Sequence, residues 1–522
     1  MRPVLVCAAV FFACALGSAL GPVAPRDSVA RDAAPARATP YGVTGTPAFK
    51  NLPATSCSAS SCHGGGAVGR VGSEHSTWAP EAQDKPDSDP HNRAYRVLFN
   101  SVSVEMAKKL NLGPAHKAEL CLKCHAVPAA TGDADTDAQI LTEGVGCSGC
   151  HGPAEKWNAV HYLPEWKALS NREKWEKYGF VPTGNLVARL LNCAQCHMGD
   201  ADRDVNHALY AAGHPRITFE AAKMHNTKGY RKHWEEKIKL PDFEVRVWVV
   251  GQATQLRAAA DLLRVRAERA EAGIKADARF PDRGAWPEFA GYSCYACHQS
   301  LPDADARKAL SVTPRPPGTP GWEVWSNAAV KVAHQHCADA FPGLAAPSLG
   351  EVERLQELMR SRKGYSATNV AAQAAKAVRE LDAWLVALQD AEDRGPKSVA
   401  PGAAYKLAGA LAKNVFGTEK DKDLFADHDW DALAANYLGV AAMAHASGGA
   451  NKVTWGRQLE ALRDGLRFDA DPNKRVRFDS PWMFDLAPAE PTKGEKLEPK
   501  RIEQLRQRFM DLRAATALTG GN

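Results

Sequence analysis

Apolar positions recur at helical spacing over much of the chain, most clearly in its second half. Val245, Trp248, Val249, Leu256, Ala260 and Leu263 form one stripe with arginines opposite, which predicts a long helix over residues 243–272. Val370, Ala374, Val378, Leu381, Leu385 and Leu388 keep the same spacing between Ser366 and Gly395. Similar stripes run over Trp430–Ala446, through Trp455, Leu459, Leu462 and Leu466, and through Ile502, Leu505, Phe509 and Leu512. Trp322–Ala340 also reads as helical, and short helices are predicted at Ser103–Leu112 and Leu163–Tyr178. The pattern predicts a mainly α protein. Short polar loops between the later stripes predict an antiparallel helical bundle over 322–522, with Trp and Leu as its core.

Two stretches interrupt the periodicity. Met1 and Arg2 precede an apolar run from Val4 to Leu16, followed by the small residues Gly17, Ser18 and Ala19. This reads as an export signal over about 1–21, too short for a spanning helix. The Ala/Pro-rich stretch 22–50 reads as a flexible leader, and 311–321, dense in Pro and Gly, as a linker. No other long apolar segment occurs, so the expected mature chain is exported and periplasmic with no stable transmembrane segment.

The 522 residues are 45% hydrophobic and 24% charged, a globular composition with room for more than one domain. The 65 Lys and Arg against 60 Asp and Glu leave a net charge of only +5, without a basic block, so nucleic acid is not the expected partner.

Cysteine changes the picture. Of the 13 cysteines, Cys7 and Cys14 fall in the signal, Cys337 stands alone and reads as a buried thiol, and ten form five close pairs. A histidine follows each pair. Four pairs are strict Cys-x-x-Cys-His: Cys121, Cys124 and His125; Cys147, Cys150 and His151; Cys193, Cys196 and His197; and Cys294, Cys297 and His298. The fifth, Cys57, Cys62 and His63, has a four-residue spacer. Random placement would produce the strict motif about 0.01 times per chain. Two thiols at this spacing add to the two vinyl groups of haem, and the next imidazole reaches the iron. Structural zinc uses paired cysteines too, but does not demand a histidine directly after every pair. A disulfide is the alternative for Cys57 and Cys62. The expected cofactors are five covalent haem c groups, filling the core of a region over 51–310, with His63, His125, His151, His197 and His298 as proximal iron ligands.

The segment Thr142–Pro153, with the third motif at its centre, and the segment Asp89–Tyr95 resemble multihaem cytochromes related to cytochrome c-554 of nitrification. The order of the first four haem sites agrees, and the likeness covers roughly residues 55–235. The fifth motif, Ala212–Glu220 and the last two hundred residues go beyond that small carrier and resemble larger exported proteins of the same superfamily. The resemblance implies that His91 opposes His151 and that His161 opposes His63. His207 and His214, just past the fourth motif, are the candidates for the fourth and fifth haems, in either order. His75, His116, His225, His233 and His334 are not expected as ligands, nor are the distant His428 and His445; Met198 reads as packing. By resemblance the second haem then lacks an obvious partner. It is either five-coordinate and open to nitric oxide, nitrite or hydroxylamine, or closed by a histidine set aside here.

The favoured function is electron transfer between a redox donor and acceptor, because irons with two histidines have no vacancy for chemistry. The alternative is a redox enzyme acting on a small nitrogen compound at a five-coordinate haem. No Cys-x-x-Cys-Lys motif, Ser-His-Asp pattern or P-loop occurs, and no catalytic residue is assigned.

Overall fold

Asparagine, aspartate and serine caps set where many of the helices begin. The computed structural model describes residues 39–42, 49–65, 71–79, 89–226, 243–274, 286–292, 321–360, 366–395, 398–416, 430–449, 452–466 and 499–517. The signal, most of the leader, the fifth motif (Cys294, Cys297, His298), most of the linker, His233 and His428 lie outside the described residues. The fold is mainly α, with no strand among the described residues; one isolated antiparallel bridge joins Tyr292 and Trp322.

The first half is built of short helices: α1 (Glu74–Trp78), α2 (Ser101–Lys109), α3 (Glu119–His125), α4 (Ala134–Thr142), α5 (Cys147–His151), α6 (Pro164–Ala168), α7 (Asn171–Tyr178), α8 (Leu186–His197), α9 (His207–Ala212) and α10 (Ala221–His225). Asn100, Asp133, Asn185 and Asn206 accept from first-turn amides of α2, α4, α8 and α9. The single helix expected over 163–178 is two helices. Ser170 and Glu173 form a reciprocal capping box that starts α7 afresh, and left-handed Gly179 ends it.

The second half opens on α11 (Phe243–Glu271), within two residues of the expected bounds. Then come α12 (Val324–Asn327), α13 (Val330–Gln335), α14 (Cys337–Ala340), α15 (Gly350–Arg360), α16 (Ala367–Asp393), α17 (Ala403–Asn414), α18 (Trp430–Ala446), α19 (Gly456–Leu466) and α20 (Pro499–Ala517). Trp322–Ala340, expected as one helix, is three short ones. The first break falls where the Asn414 side chain takes the Ala328 carbonyl (2.7 Å), the second at His336, whose Nδ1 turns to Asp339 (2.8 Å).

Apolar burial is unevenly distributed. One large core joins α8 and α10 to α11 and the helices after it, from Leu186 and Val187 through Trp248 and Trp384 to Phe509 and Leu512. The earlier region holds only small clusters, such as Tyr95, Leu98, Ala107, Ala115 and Ala126, or Ala154, Trp157 and Trp166. Short helices with little apolar core of their own fit a region that a bulky prosthetic group completes. Helix α8 links the two parts: its first turns are in the large core, and its last carries Cys193, Cys196 and His197. Within the stretch read as a flexible leader, Tyr41 is pinned to α16. Its backbone N–H donates to Gln389 Oε1 (3.1 Å) and its hydroxyl to Asp393 (2.7 Å).

Gly251 marks the closest approach of α11 to α10, since a Cβ there would lie 2.6 Å from Ala221 Cβ. Gly251→Val is expected to destabilise the fold by about 1–3 kcal/mol through overpacking. A denaturant midpoint equal to that of the parent would show that the two helices separate freely.

Candidate metal centres

Three of the strict motifs lie on helices. In α3, α5 and the last turn of α8, thiols three residues apart share one helix face, and the histidine one position on ends the helix. The first motif begins in a 3₁₀ turn over Ala54–Cys57. Its longer spacer folds back through bonds from Cys62 N and Gly64 N to Ala59 O (2.9 and 3.0 Å). Left-handed Gly152 (φ 78°) turns the chain sharply after His151, and Val181 N then donates to His151 O (2.9 Å).

The four described motifs adjoin one another in a row, and the third touches the fourth where Asn192 Nδ2, beside Cys193, donates to Gly149 O and Cys150 O (2.9 and 3.3 Å). The neighbouring Cys147 thiol holds the Cys57 thiol below its ordinary value, and Cys57 raises Cys147 in turn; beside them, Ser148 Oγ donates to Leu52 O (3.2 Å). Cys124 and Cys196 act on each other in the same way, with Cys196 lowered and Cys124 raised. The first motif therefore adjoins the third, and the second adjoins the fourth. All eight thiols are free, with no disulfide between Cys57 and Cys62. Among the described residues no three His, Cys, Asp or Glu side chains converge, whereas a structural zinc site needs four such ligands.

The imidazoles are oriented as metal ligands are. Nδ1 of His125 bonds Ala94 O (2.7 Å), that of His161 bonds Asn158 O (2.8 Å), and that of His214 bonds Pro215 O (2.8 Å). A carbonyl only accepts, so Nδ1 carries the proton and Nε2 keeps the coordinating lone pair. Glu74 holds His63 Nδ1 (3.0 Å) and Asp89 holds His91 Nδ1 (2.8 Å), the carboxylate support common behind metal-bound histidine. Burial alone would lower the His91 imidazole, but neighbouring Asp89 carries it above its ordinary value. Burial, with the charges of His91 and His125, pushes His197 down to about 4, so it stays neutral.

His161 faces His63 with ring centres 6.2 Å apart and planes 18° from parallel. His91 faces His197, with centres 6.1 Å apart and planes at 87°. Two imidazoles bound through nitrogen to one metal, at about 2 Å per bond, have centres about 6 Å apart. Rings in direct contact would be nearer. The ring that faces His63 is His161, the expected partner, whereas the ring that faces His91 is His197 rather than the expected His151. The 3₁₀ turn Pro90–Arg93, capped by Asp89, presents His91 to the end of α8. His151 instead has Phe180 (5.9 Å) and Trp157 (6.5 Å) beside it.

His207 donates its backbone N–H to Glu288 Oε1 (2.9 Å), and its ring lies 6.1 Å from Phe289, close to where the chain enters the fifth motif. His75, set aside on sequence, sits on α1. That helix docks through Trp78 Nε1 on Val145 O (3.1 Å), two residues before Cys147. No spacing signal singles His75 out. His116 stacks on Phe99 (4.3 Å), and His334 meets Trp384 (5.3 Å). Met198 packs on the large core, and buried Cys337 accepts from Trp384 Nε1 (3.5 Å).

Among the described residues no helix is long and apolar enough to cross a membrane. Neither the curated proteins nor the solved structures contain a match to the chain. Residues 75–152 match the family described as cytochrome c554 and c-prime, a stretch that contains His91 and the whole of the second and third motifs. Over that segment, with its paired thiols and adjoining imidazoles, the chain is similar to the cytochrome c554 family of c-type cytochromes.

Proposed function

We propose that the chain is a pentahaem electron-transfer protein of an exported compartment, relaying electrons between a redox donor and an acceptor. The observation that carries this reading is the adjacency of the attachment points, first to third through Ser148 and Leu52, third to fourth through Asn192 and Gly149, and fourth to second through Arg203 and Lys123. Redox groups held this near one another exchange electrons without substrate or bond rearrangement. Haem c supplies the one-electron chemistry; the chain positions each group, supplies its axial ligands and excludes water. Cys57, Cys62, Cys121, Cys124, Cys147, Cys150, Cys193, Cys196, Cys294 and Cys297 hold the five groups, with the histidine after each pair as proximal ligand. His161 completes the first centre and His91 the fourth. His207 is assigned to the fifth because of its place beside Glu288 and Phe289, and His75 to the third because of its place on α1.

The test is the mass and colour of the purified mature protein. Five porphyrin masses above the bare polypeptide, together with five haems per chain in an alkaline pyridine assay, are expected. A colourless product, or a mass equal to the polymer alone, would overturn the assignment.

A further inference from the structure

We propose that His214 is the sixth ligand of the haem held by Cys121, Cys124 and His125, so that the second centre is closed and is not a substrate site. The inference rests on reading Cys121–His125 as a haem-attachment motif. It departs from the expectation that His214 serves the fourth or fifth haem.

Helix α2 brings the two histidines together. On one side, Ala107 joins Ala115 and Ala126 in the small cluster against which Cys121 and Leu122 pack. On the other side, α2 meets the end of α9: Lys109 Nζ donates to Ala212 O (3.2 Å), and a Cβ on Gly213 would lie 3.6 Å from Met106 Cγ. Gly213, at φ 123°, then turns the chain where His214 leaves α9, on the side of α2 that Met106 and Lys109 occupy. Burial lowers the His214 imidazole, and the charge of His125 adds to that.

Both imidazoles have the tautomer that ligation needs, since each Nδ1 is committed to a carbonyl, Ala94 O for His125 and Pro215 O for His214. The ligand loop is also anchored from beyond. Two residues past His214, Arg216 makes a bidentate pair with wholly buried Asp431 of α18 (2.6 and 2.8 Å). The other candidates are engaged elsewhere. His116 lies flat on Phe99, His91 faces His197, and His207 sits against Phe289.

The test is carbon monoxide binding and spin state in the haem-loaded protein. His214→Ala should bind one more carbon monoxide per chain than the parent and convert one haem from low to high spin. Equal binding and an unchanged spin state would overturn the proposal. Removing Cys121 and Cys124 together should lower the haem count by one and abolish the effect of His214→Ala. A count that does not fall refutes the motif reading. A count that falls while His214→Ala still opens a haem leaves the motif standing and overturns the ligand assignment. Should His214→Ala fail to mature, His214→Met supplies a sulfur ligand instead. A methionine-to-iron absorption band supports the assignment, and its absence with unchanged low-spin spectra overturns it.

Discussion

His91→Ala is expected to leave one haem per chain without its second imidazole, and the haem affected is the one on Cys193 and Cys196. The rings of His91 and His197 are nearly perpendicular (87°), whereas those of His63 and His161 are nearly parallel (18°). Ring orientation governs the anisotropy of a low-spin ferric centre, so the two pairs have different electron paramagnetic resonance signatures. His91→Ala should remove one strongly anisotropic signal, and His161→Ala one rhombic signal. Each substitution should add about one high-spin haem. The effect of His91→Ala should vanish in a chain that lacks Cys193 and Cys196. Persistence there, with loss only in a chain lacking Cys147 and Cys150, would restore the pairing of His91 with His151.

Asp431→Ala should be the most damaging single change to stability away from the haems. The Asp431 side chain is 0% exposed and its partner Arg216 is 11% exposed, and the two meet through paired fork contacts. Losing the carboxylate removes both fork contacts from a buried guanidinium, at a cost of about 3–5 kcal/mol. Replacing both, as in Arg216→Met with Asp431→Leu, should recover most of that loss, because the desolvation of both charges disappears with them. Denaturant unfolding checks both statements; a single variant as stable as the parent would show that the pair contributes little. Because Arg216 follows His214 by two residues, Asp431→Ala should also raise the high-spin fraction of the second haem. A purely structural role would leave that fraction unchanged.

The spacing of apolar residues after Ser366 makes α16 legible, and in the structure the Ser366 side chain accepts from Asn369 N to begin it. The helices α15, α17 and α8 were not singled out. Part of the reason is that α8 is apolar on nearly every side in its first turns, where even Arg189 is only 2% exposed. A helix buried all round offers weak periodicity. The break in Trp322–Ala340 was illegible because Asn414, more than eighty residues away in sequence, takes the Ala328 carbonyl.

The attachment chemistry is a local property. Two thiols and an imidazole within five consecutive residues need only a turn of helix to reach one porphyrin, so the motifs declare themselves in any fold. The partner across each iron is a property of distance in space. Nothing in the spacing of His91 distinguishes His151 from His197, and only the docking of the Pro90–Arg93 turn against the end of α8 brings its ring to face that of His197. Likewise only the tertiary structure sets α2 between the end of α9, met by Met106 and Lys109, and the Cys121 cluster, met by Ala107. Covalent capture needs neighbours along the chain, whereas axial closure needs neighbours in space.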